Sequence, residues 1–425
     1  MSQKSRRHPS ALYLLCAAQG CERVAAGAML SLFALYLTEH RHFIDSVAIL
    51  IVGGFLAGSY LMSWPSGWLA DRWLGALNTA RLGAILLCCG YAALWTDAAG
   101  LLWLALGLAV IGQGLFRSAI ATLVGQLYAA DEEHRDAGFG LVYVSVNLGY
   151  LAGPLLAELA RARSGWATIF GFAAGALVVS LGLLIGASLH ARGASNFEKT
   201  DPPPLPNHVE RGRIEALLLL CGVAVVFWMA LLQTGTSLTL FAEHHTERGW
   251  SLLGFAGEAA PGHFATLHGG LVLVFTPLLL RLLARLRAWK ISPSTLGQFV
   301  WGLLVTAGAF VLMTIASLRG GDHGRAHIAW LLGCYLLLSL AEVLFSALGM
   351  SFVTKIAPPR FASRMAGIWY ASIAIGQLLA GALGLLWQRW PHHQYFALIA
   401  LLCLSAAAVL RAALRRLDLA ISHNV

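Results

Sequence analysis

The chain has 425 residues, of which 58% are hydrophobic and only 12% are charged. Soluble domains carry roughly 25% charged residues, so this composition excludes an ordinary soluble protein. The formal net charge of +9 does not indicate nucleic-acid binding, because the basic residues lie at the ends of long apolar stretches. We expect the main solvent of this chain to be lipid, and we expect no nucleic-acid partner.

Twelve apolar stretches follow one another along the chain. Most are about twenty residues or longer, which is the length that a helix needs to cross the hydrocarbon core of a bilayer. Continuous helices are expected, because a helix satisfies its own backbone hydrogen bonds in lipid. The predicted spans are 10–37, 46–70, 79–95, 101–128, 137–159, 167–190, 214–240, 264–286, 296–317, 328–354, 365–390 and 395–414.

A linker rich in proline and charge divides the spans into six and six. It covers residues 191–213 and separates a predicted bundle at 1–190 from a second at 214–425. Two six-helix bundles related as repeats are typical of major facilitator transporters. Most of the 29 Lys and Arg residues fall on the side that holds the N-terminus. We therefore expect both termini in the cytoplasm and the protein in the cell (inner) membrane.

A charged loop between the second and third spans reads GWLADRWLG at residues 67–75. It resembles the loop signature of major facilitator transporters, in which an acid and a base latch neighbouring helices on the cytoplasmic side. The resemblance assigns this structural role to Gly67, Asp71, Arg72 and Gly75. A simple charged turn is the alternative interpretation.

Four further strings resemble the proton-dependent oligopeptide transporter family. QGCER at 19–23 is close to ExxER, and VYVSVNLG at 142–149 is close to FYxxINxG. FWMALLQTGTSLTLFA at 227–242 resembles FWxxxEQxGSSLxLFA, and a fourth string covers 341–369. They come in the order of the family and extend over most of the chain. The resemblance implies an all-α membrane protein of twelve helices with the major facilitator fold.

The chain also departs from the family pattern. The first Glu of ExxER is Gln19, and the tyrosine pair that follows falls on residues 26–27, which are Ala and Gly. The lysine of the fourth span is Arg117. An arginine and a glutamate that pair across the family's site are Leu30 and Leu232. Losing both members of a buried pair is less harmful than losing one, because a lone buried charge is the costly state.

Ionisable groups inside a span are expensive and indicate function by default. The resemblance implies a substrate site made of Arg23, Arg117, Glu342, Tyr143, Asn147, Trp228, Gln233, Ser346 and Trp369. The arginines can bind a carboxylate with two parallel hydrogen bonds, and Glu342 offers negative charge to an ammonium group. In the family the equivalents of Arg117 and Glu342 pair with each other. A purely structural charge network is the alternative.

Two carboxylates are candidates for proton coupling, Glu22 and Glu342, because a carboxylate that loses its arginine partner in lipid is left desolvated. His268 falls close to a pocket position of the family. The histidine pairs at 244–245 and 392–393 lack the spacing of a metal site, so we expect solvated histidines and no metal.

The pattern as a whole predicts a secondary active transporter that takes up di- or tripeptides with protons by alternating access. The alternative is a transporter or exporter of the same fold for another small molecule or peptidic product, with weak or no proton coupling. A membrane enzyme is not favoured, because no constellation of nucleophile and base is visible. The expected partners are a peptide-like substrate, protons and the lipid bilayer, with no cofactor and no obligatory protein partner.

Overall fold

The computed structural model describes most of the chain. The described ranges are 9–127, 132–190, 207–252, 255–288, 294–320, 325–356 and 362–422.

The first half of the chain is helical between short connections, as its apolar stretches require in lipid. A π-helical turn extends the first helix at Tyr36–His40, and another links α3 to α4 at Ala70–Leu74. The helices are α1 Ser10–Leu35, α2 Asp45–Leu61, α3 Ser63–Leu69, α4 Gly75–Trp95, α5 Leu102–Leu127, α6 Glu132–Ser164 and α7 Trp166–His190.

The second half adds seven helices and two small sheets in its loops. The helices are α8 Asn207–Leu231, α9 Ser237–His244, α10 Pro261–Ala288, α11 Thr295–Gly320, α12 Ile328–Ile356, α13 Ala362–Trp387 and α14 His392–Ser422. The strands are β1 Thr246–Glu247, β2 Gly249–Leu252, β3 Phe255–Glu258 and β4 Ala326–His327. Strand β1 pairs with β4 in parallel, and β2 pairs with β3 as an antiparallel hairpin.

Among the described residues, twelve helical segments are long and apolar enough to cross a membrane, which confirms the predicted number. Two details differ from the prediction. The second span consists of two helices, because α2 ends at Leu61 and α3 begins at Ser63. Helix α8 begins at Asn207, so the end of the predicted linker 191–213 is already helical.

The seventh span is broken where the sequence predicts one continuous helix at 214–240. A 3₁₀ turn at Leu232–Gly235 separates α8 from α9, and Thr236 has φ −132° and ψ −101°, outside the helical region. The break frees backbone carbonyls, which hydrocarbon cannot solvate. The hydroxyls of Thr239 and Tyr335 both donate to the Thr234 carbonyl, at 3.0 and 2.9 Å. These side chains replace the missing helical bonds.

Contacts divide the chain into two compact units, and their boundary does not coincide with the linker. The segment Leu30–Ala57 belongs to the unit that contains α8 to α14. Within that unit it packs against α13. A Cβ atom on Gly53 would lie 2.6 Å from the Cα of Gly381 and 2.7 Å from the carbonyl of Gln377. The two backbones approach so closely because neither glycine has a side chain.

Substitution of Gly53 by Ala is expected to destabilise the protein by about 1–3 kcal/mol, because the added methyl group overpacks a backbone contact. Gly54→Ala is the matched control, since a Cβ atom at Gly54 has no neighbour within 4 Å. Thermal unfolding in detergent measures both variants. Equal melting temperatures for the two variants would contradict the close contact.

Candidate functional site

A buried charge cluster lies on one face of α1. Gln19, Glu22 and Arg23 are three and four residues apart, so their side chains meet on the helix surface. The Gln19 amide donates to Oε2 of Glu22 at 3.2 Å, and Nε of Arg23 lies 2.7 Å from the same oxygen. Glu22 is 1% exposed and Arg23 is 5% exposed. The two opposite charges therefore balance each other inside the protein.

Tyr150 on α6 supplies the phenol that the first span lacks. The Nη1 group of Arg23 donates to the Tyr150 hydroxyl at 2.8 Å, and the guanidinium lies 5.6 Å from the ring centroid. A Cβ atom on Gly27 would be 3.3 Å from this ring, so the small residue leaves room for it. Sequence reasoning missed Tyr150, although it directly follows the motif that ends at Gly149.

Arg117 on α5 combines charge with an unused hydrogen-bond donor. Its guanidinium carbon lies 3.6 Å from the ring centroid of Tyr60, which is a cation–π contact. Its Nη1 atom is buried and has no hydrogen-bond partner within the described part of the chain. A buried donor without an acceptor costs free energy. Arg117 can therefore bind an acceptor. The sequence motifs did not predict its contact with Tyr60.

Asn147 is buried on α6, and its amide donates to the Tyr143 carbonyl at 2.9 Å. This bond runs back to the residue four positions earlier and uses one of the amide's two hydrogens. Tyr143 itself is half-buried. Both residues belong to the same compact unit as Arg23 and Arg117.

Two predicted tryptophans have different surroundings. Trp228 on α8 is half-buried, and its indole Nε1 is buried without a hydrogen-bond partner among the described residues. Trp369 on α13 is 3% exposed and stacks on Phe345, which in turn stacks on Phe227 with ring centroids 4.0 Å apart. Trp228 therefore keeps a donor for a ligand, whereas the structure places Trp369 in the aromatic core.

Gln233 lies in the break of the seventh span and is completely buried. Its Oε1 accepts hydrogen bonds from Ser237 at 2.6 Å and from Tyr395 at 2.8 Å. Its Nε2 donates to the Met229 carbonyl at 3.1 Å. The structure therefore gives Gln233 the role of joining α8, α9 and α14, in place of the predicted contact with substrate.

Glu342 on α12 contacts a histidine that falls close to a pocket position of the family. Its Oε2 atom lies 2.7 Å from Nε2 of His268 on α10. The other ring nitrogen, Nδ1, lies 2.7 Å from the Ser339 hydroxyl, one turn before Glu342. Both side chains are half-buried, with 17% of His268 and 22% of Glu342 exposed. The side chain of Ser346 lies outside the described part of the chain.

Two leucines, Leu30 and Leu232, occupy the positions of the family's ion pair. Leu232 is buried in the 3₁₀ turn, and a Cβ atom on Gly235 in the same turn would lie 3.5 Å from the Leu30 side chain. Both members of the pair have thus been replaced by leucines, and Leu30 packs beside the turn that contains Leu232. Such a replacement is often neutral or stabilising, because no charge is left without a partner.

The loop motif is partly visible. Gly75 has φ +71°, which favours glycine, and it turns the chain from the π-helical turn into α4. Arg72 is exposed and lies 5.8 Å from the ring centroid of Trp68. Gly67 has open space on its Cβ side. The side chain of Asp71 lies outside the described part, so the latch between acid and base stays a prediction.

One histidine of each pair packs against other rings, whereas His244 is exposed, as predicted. His245 and His392 have ring centroids 4.4 Å apart, and His392 lies 4.2 Å from the Trp387 ring. Trp387 donates to Oδ2 of Asp45 at 3.3 Å, and Phe241 covers His245 at 5.5 Å. These two rings therefore pack among aromatic side chains.

The sequence model of the POT family matches residues 77–199 and 207–396, which is more than half of the chain. The chain belongs to the POT family. It is therefore a multi-pass membrane transporter and not an enzyme. This confirms the resemblance to proton-dependent oligopeptide transporters that the sequence motifs indicate.

The sequence similarity of this POT transporter to two named peptide transporters extends over most of the chain. The peptide transporter YePEPT of Yersinia enterocolitica subsp. palearctica is 27% identical over 403 residues, covering 79% of this chain and 78% of its own. A di-/tripeptide transporter of Lactococcus lactis subsp. cremoris is 26% identical over 427 residues, covering 86% and 85%.

A crystal structure of a POT family transporter in complex with 5-aminolevulinic acid has a TM-score of 0.89 and 21% identity, covering 98% of each chain. Another, in complex with a thioalcohol-conjugated peptide, has a TM-score of 0.89 and 22% identity, covering 96% of this chain and 97% of its own. These likenesses confirm the predicted all-α fold of twelve membrane helices.

Substitution of Tyr150 by Phe removes the hydroxyl that accepts from the buried Arg23. We expect a loss of stability of about 1.5–3 kcal/mol, the usual value for a hydrogen bond to a charged group. Tyr13→Phe is the control, because Tyr13 on the same helix as Arg23 is 54% exposed. Thermal unfolding in detergent compares the two, and an unchanged Tyr150→Phe midpoint would show that the hydroxyl contributes nothing.

Proposed function

We propose that this POT transporter takes up di- or tripeptides, or peptide-like compounds, together with protons by alternating access. The observation that carries the proposal is Arg117, a guanidinium inside a span with a buried donor that has no acceptor in the described part of the chain. Its relatives in Yersinia and Lactococcus are named as peptide transporters. A peptide carboxylate is an acceptor that such a donor would bind.

A short peptide carries a carboxylate at one end and an ammonium group at the other. Arg117 would bind the carboxylate, and Arg23 would add positive charge on the same side. Glu342 would bind the ammonium group. Trp228 and Asn147 would contribute further hydrogen bonds, since Trp228 has an unused N–H and Asn147 has used only part of its amide. Ser346 and Tyr143 remain candidates from the motifs alone.

Binding of such a zwitterion would favour closure of the site. Arg23 and Arg117 would attract the carboxylate, and Glu342 would attract the ammonium group. A ligand that binds one conformational state more tightly than another shifts the population toward that state. The predicted pairing of Arg117 with Glu342 in the empty transporter would be the interaction that substrate replaces.

Protons would be coupled through Glu22 and Glu342. Glu22 balances Arg23 in a fully buried pair, so movement of the arginine toward substrate would leave a desolvated carboxylate that binds a proton. Glu342 contacts a histidine and is half-buried, so water can reach it. No obligatory protein partner and no cofactor are part of this proposal.

One observation favours a second candidate function. Leu30 and Leu232 occupy the positions of two charged residues that pair in the family, and both lie at the same turn of the seventh span. A site with fewer charges is suited to a less polar cargo, such as a peptidic natural product, and to weaker proton coupling. Transport of such a compound, in either direction, is the alternative.

Purified protein in liposomes tests the proposal with labelled dialanine and an imposed inward proton gradient. We expect saturable accumulation that a protonophore abolishes, because the gradient drives the uptake. Peptide exchange that ignores the gradient would remove proton coupling and keep the substrate. Failure to exchange dialanine at all would reject the peptide substrate and favour the second candidate.

Arg117→Gln and Glu342→Gln should each lower uptake at least about tenfold, because each removes a charge that substrate needs. The matched controls are Arg163→Gln and Glu247→Gln, which remove the same charges from exposed positions. Initial rates of uptake measure all four variants. Wild-type rates for Arg117→Gln and Glu342→Gln would remove both residues from the site.

We also propose that the protein lies in the cell (inner) membrane with both termini in the cytoplasm, because basic residues collect on that side. A fluorescent protein fused after Val425 should then fluoresce. Alkaline phosphatase inserted in the hairpin after Gly249 should be active, and the same enzyme fused after Val425 should be inactive. The reverse pattern would invert the topology.

A further inference from the structure

We propose that His268 carries the proton that is coupled at Glu342, held as an imidazolium between Ser339 and Glu342. This proposal deepens the proposed function and rests on it for the meaning of coupling. It assigns the proton to a pair formed by α10 and α12, in a chain that lacks the acidic residue of the seventh span.

The neighbours of His268 can accept a hydrogen bond from both ring nitrogens. The Ser339 hydroxyl lies 2.7 Å from the Tyr335 carbonyl and 3.5 Å from the His268 carbonyl, and either can accept its single hydrogen. Its oxygen can then accept from Nδ1 of His268, at 2.7 Å. On the other side of the ring, Nε2 lies 2.7 Å from the carboxylate of Glu342, which accepts. A ring that donates from both nitrogens carries the extra proton.

Other titratable side chains lie near this pair. Within the described residues, Tyr335 on α12 lies beside the ring of His268, with centroids 6.2 Å apart, and its hydroxyl donates to a backbone carbonyl. Helix α9 also packs on α10. Its titratable side chains within the described part are Glu243, which pairs with Arg248, and His244, both at the outer end of the helix.

The pair can load and release its proton because it is only half-buried. With 17% of His268 and 22% of Glu342 exposed, water can reach both side chains. The charge of the ring depends on its partner, because the carboxylate of Glu342 stabilises the imidazolium. When Glu342 moves away on the side where the peptide is released, the imidazolium loses its counter-charge. The proton then leaves Nε2 for water, and a neutral ring remains.

His268→Gln tests the assignment, because an amide can still donate to Glu342 but cannot carry a proton. The control is His263→Gln on the same helix, where the side chain is exposed. Dialanine counterflow without a gradient and accumulation with a gradient are measured in the same liposomes. For His268→Gln we expect reduced but measurable counterflow, and a ratio of accumulation to counterflow about tenfold below that of wild type.

The pH profile separates proton binding from a merely structural role. Counterflow by the wild type and by His263→Gln should fall as the pH rises, because the imidazolium loses its proton, whereas His268→Gln should give a flat profile. A wild-type accumulation ratio or an unchanged pH profile in His268→Gln would overturn the proposal. Absence of counterflow in the wild type would instead reject the peptide substrate.

NMR spectroscopy without substrate tests the protonation of His268 even if the wild type shows no counterflow. The chain has 15 histidines, and the difference between the ¹⁵N-histidine NMR spectra of wild type and His268→Gln in detergent isolates the signals of His268. We expect both ring nitrogens to be protonated near pH 7 in the wild type, and the ring to become neutral in Glu342→Gln. A neutral wild-type ring would overturn the assignment.

Discussion

The constraint on which this structure depends is that hydrocarbon offers no partner to a charge or to a backbone polar group. Every such group inside a span must therefore be satisfied by the protein or kept for a ligand. Glu22 and Arg23 form an ion pair, and Arg23 also donates to the Tyr150 hydroxyl. Glu342 contacts His268. Arg117 keeps a buried donor without an acceptor in the described part, and this makes it the clearest position for a charged cargo.

The same constraint explains how the seventh span can be irregular. A break in a membrane helix is tolerated only where other groups take up the freed carbonyls. Threonine and tyrosine hydroxyls do this at Thr234, and Gln233 joins the broken span to α14 through Tyr395. The cost of the break is thus met by residues whose motif suggested contacts with substrate. A polar residue in a transporter motif can serve the scaffold that positions the site.

Much of the fold could be predicted because it follows from local properties. The length of each apolar stretch predicts a span, and a spacing of three and four residues predicts that Gln19, Glu22 and Arg23 meet on one helix face. The structure agrees with both. The ends of spans were predicted less well, since α2 stops at Leu61 and α8 already begins at Asn207. Hydropathy reports burial in lipid and is insensitive to where a helix bends.

The solvent, the number of spans, the family and the few charges placed in lipid follow from the amino-acid sequence alone. The partner of each of those charges depends on the tertiary structure. Tyr150, Tyr60 and His268 lie far along the chain from Arg23, Arg117 and Glu342, and no periodicity links them. Such pairs form because the rotation and register of packed helices bring two side chains within bonding distance, and those are properties of the assembled bundle.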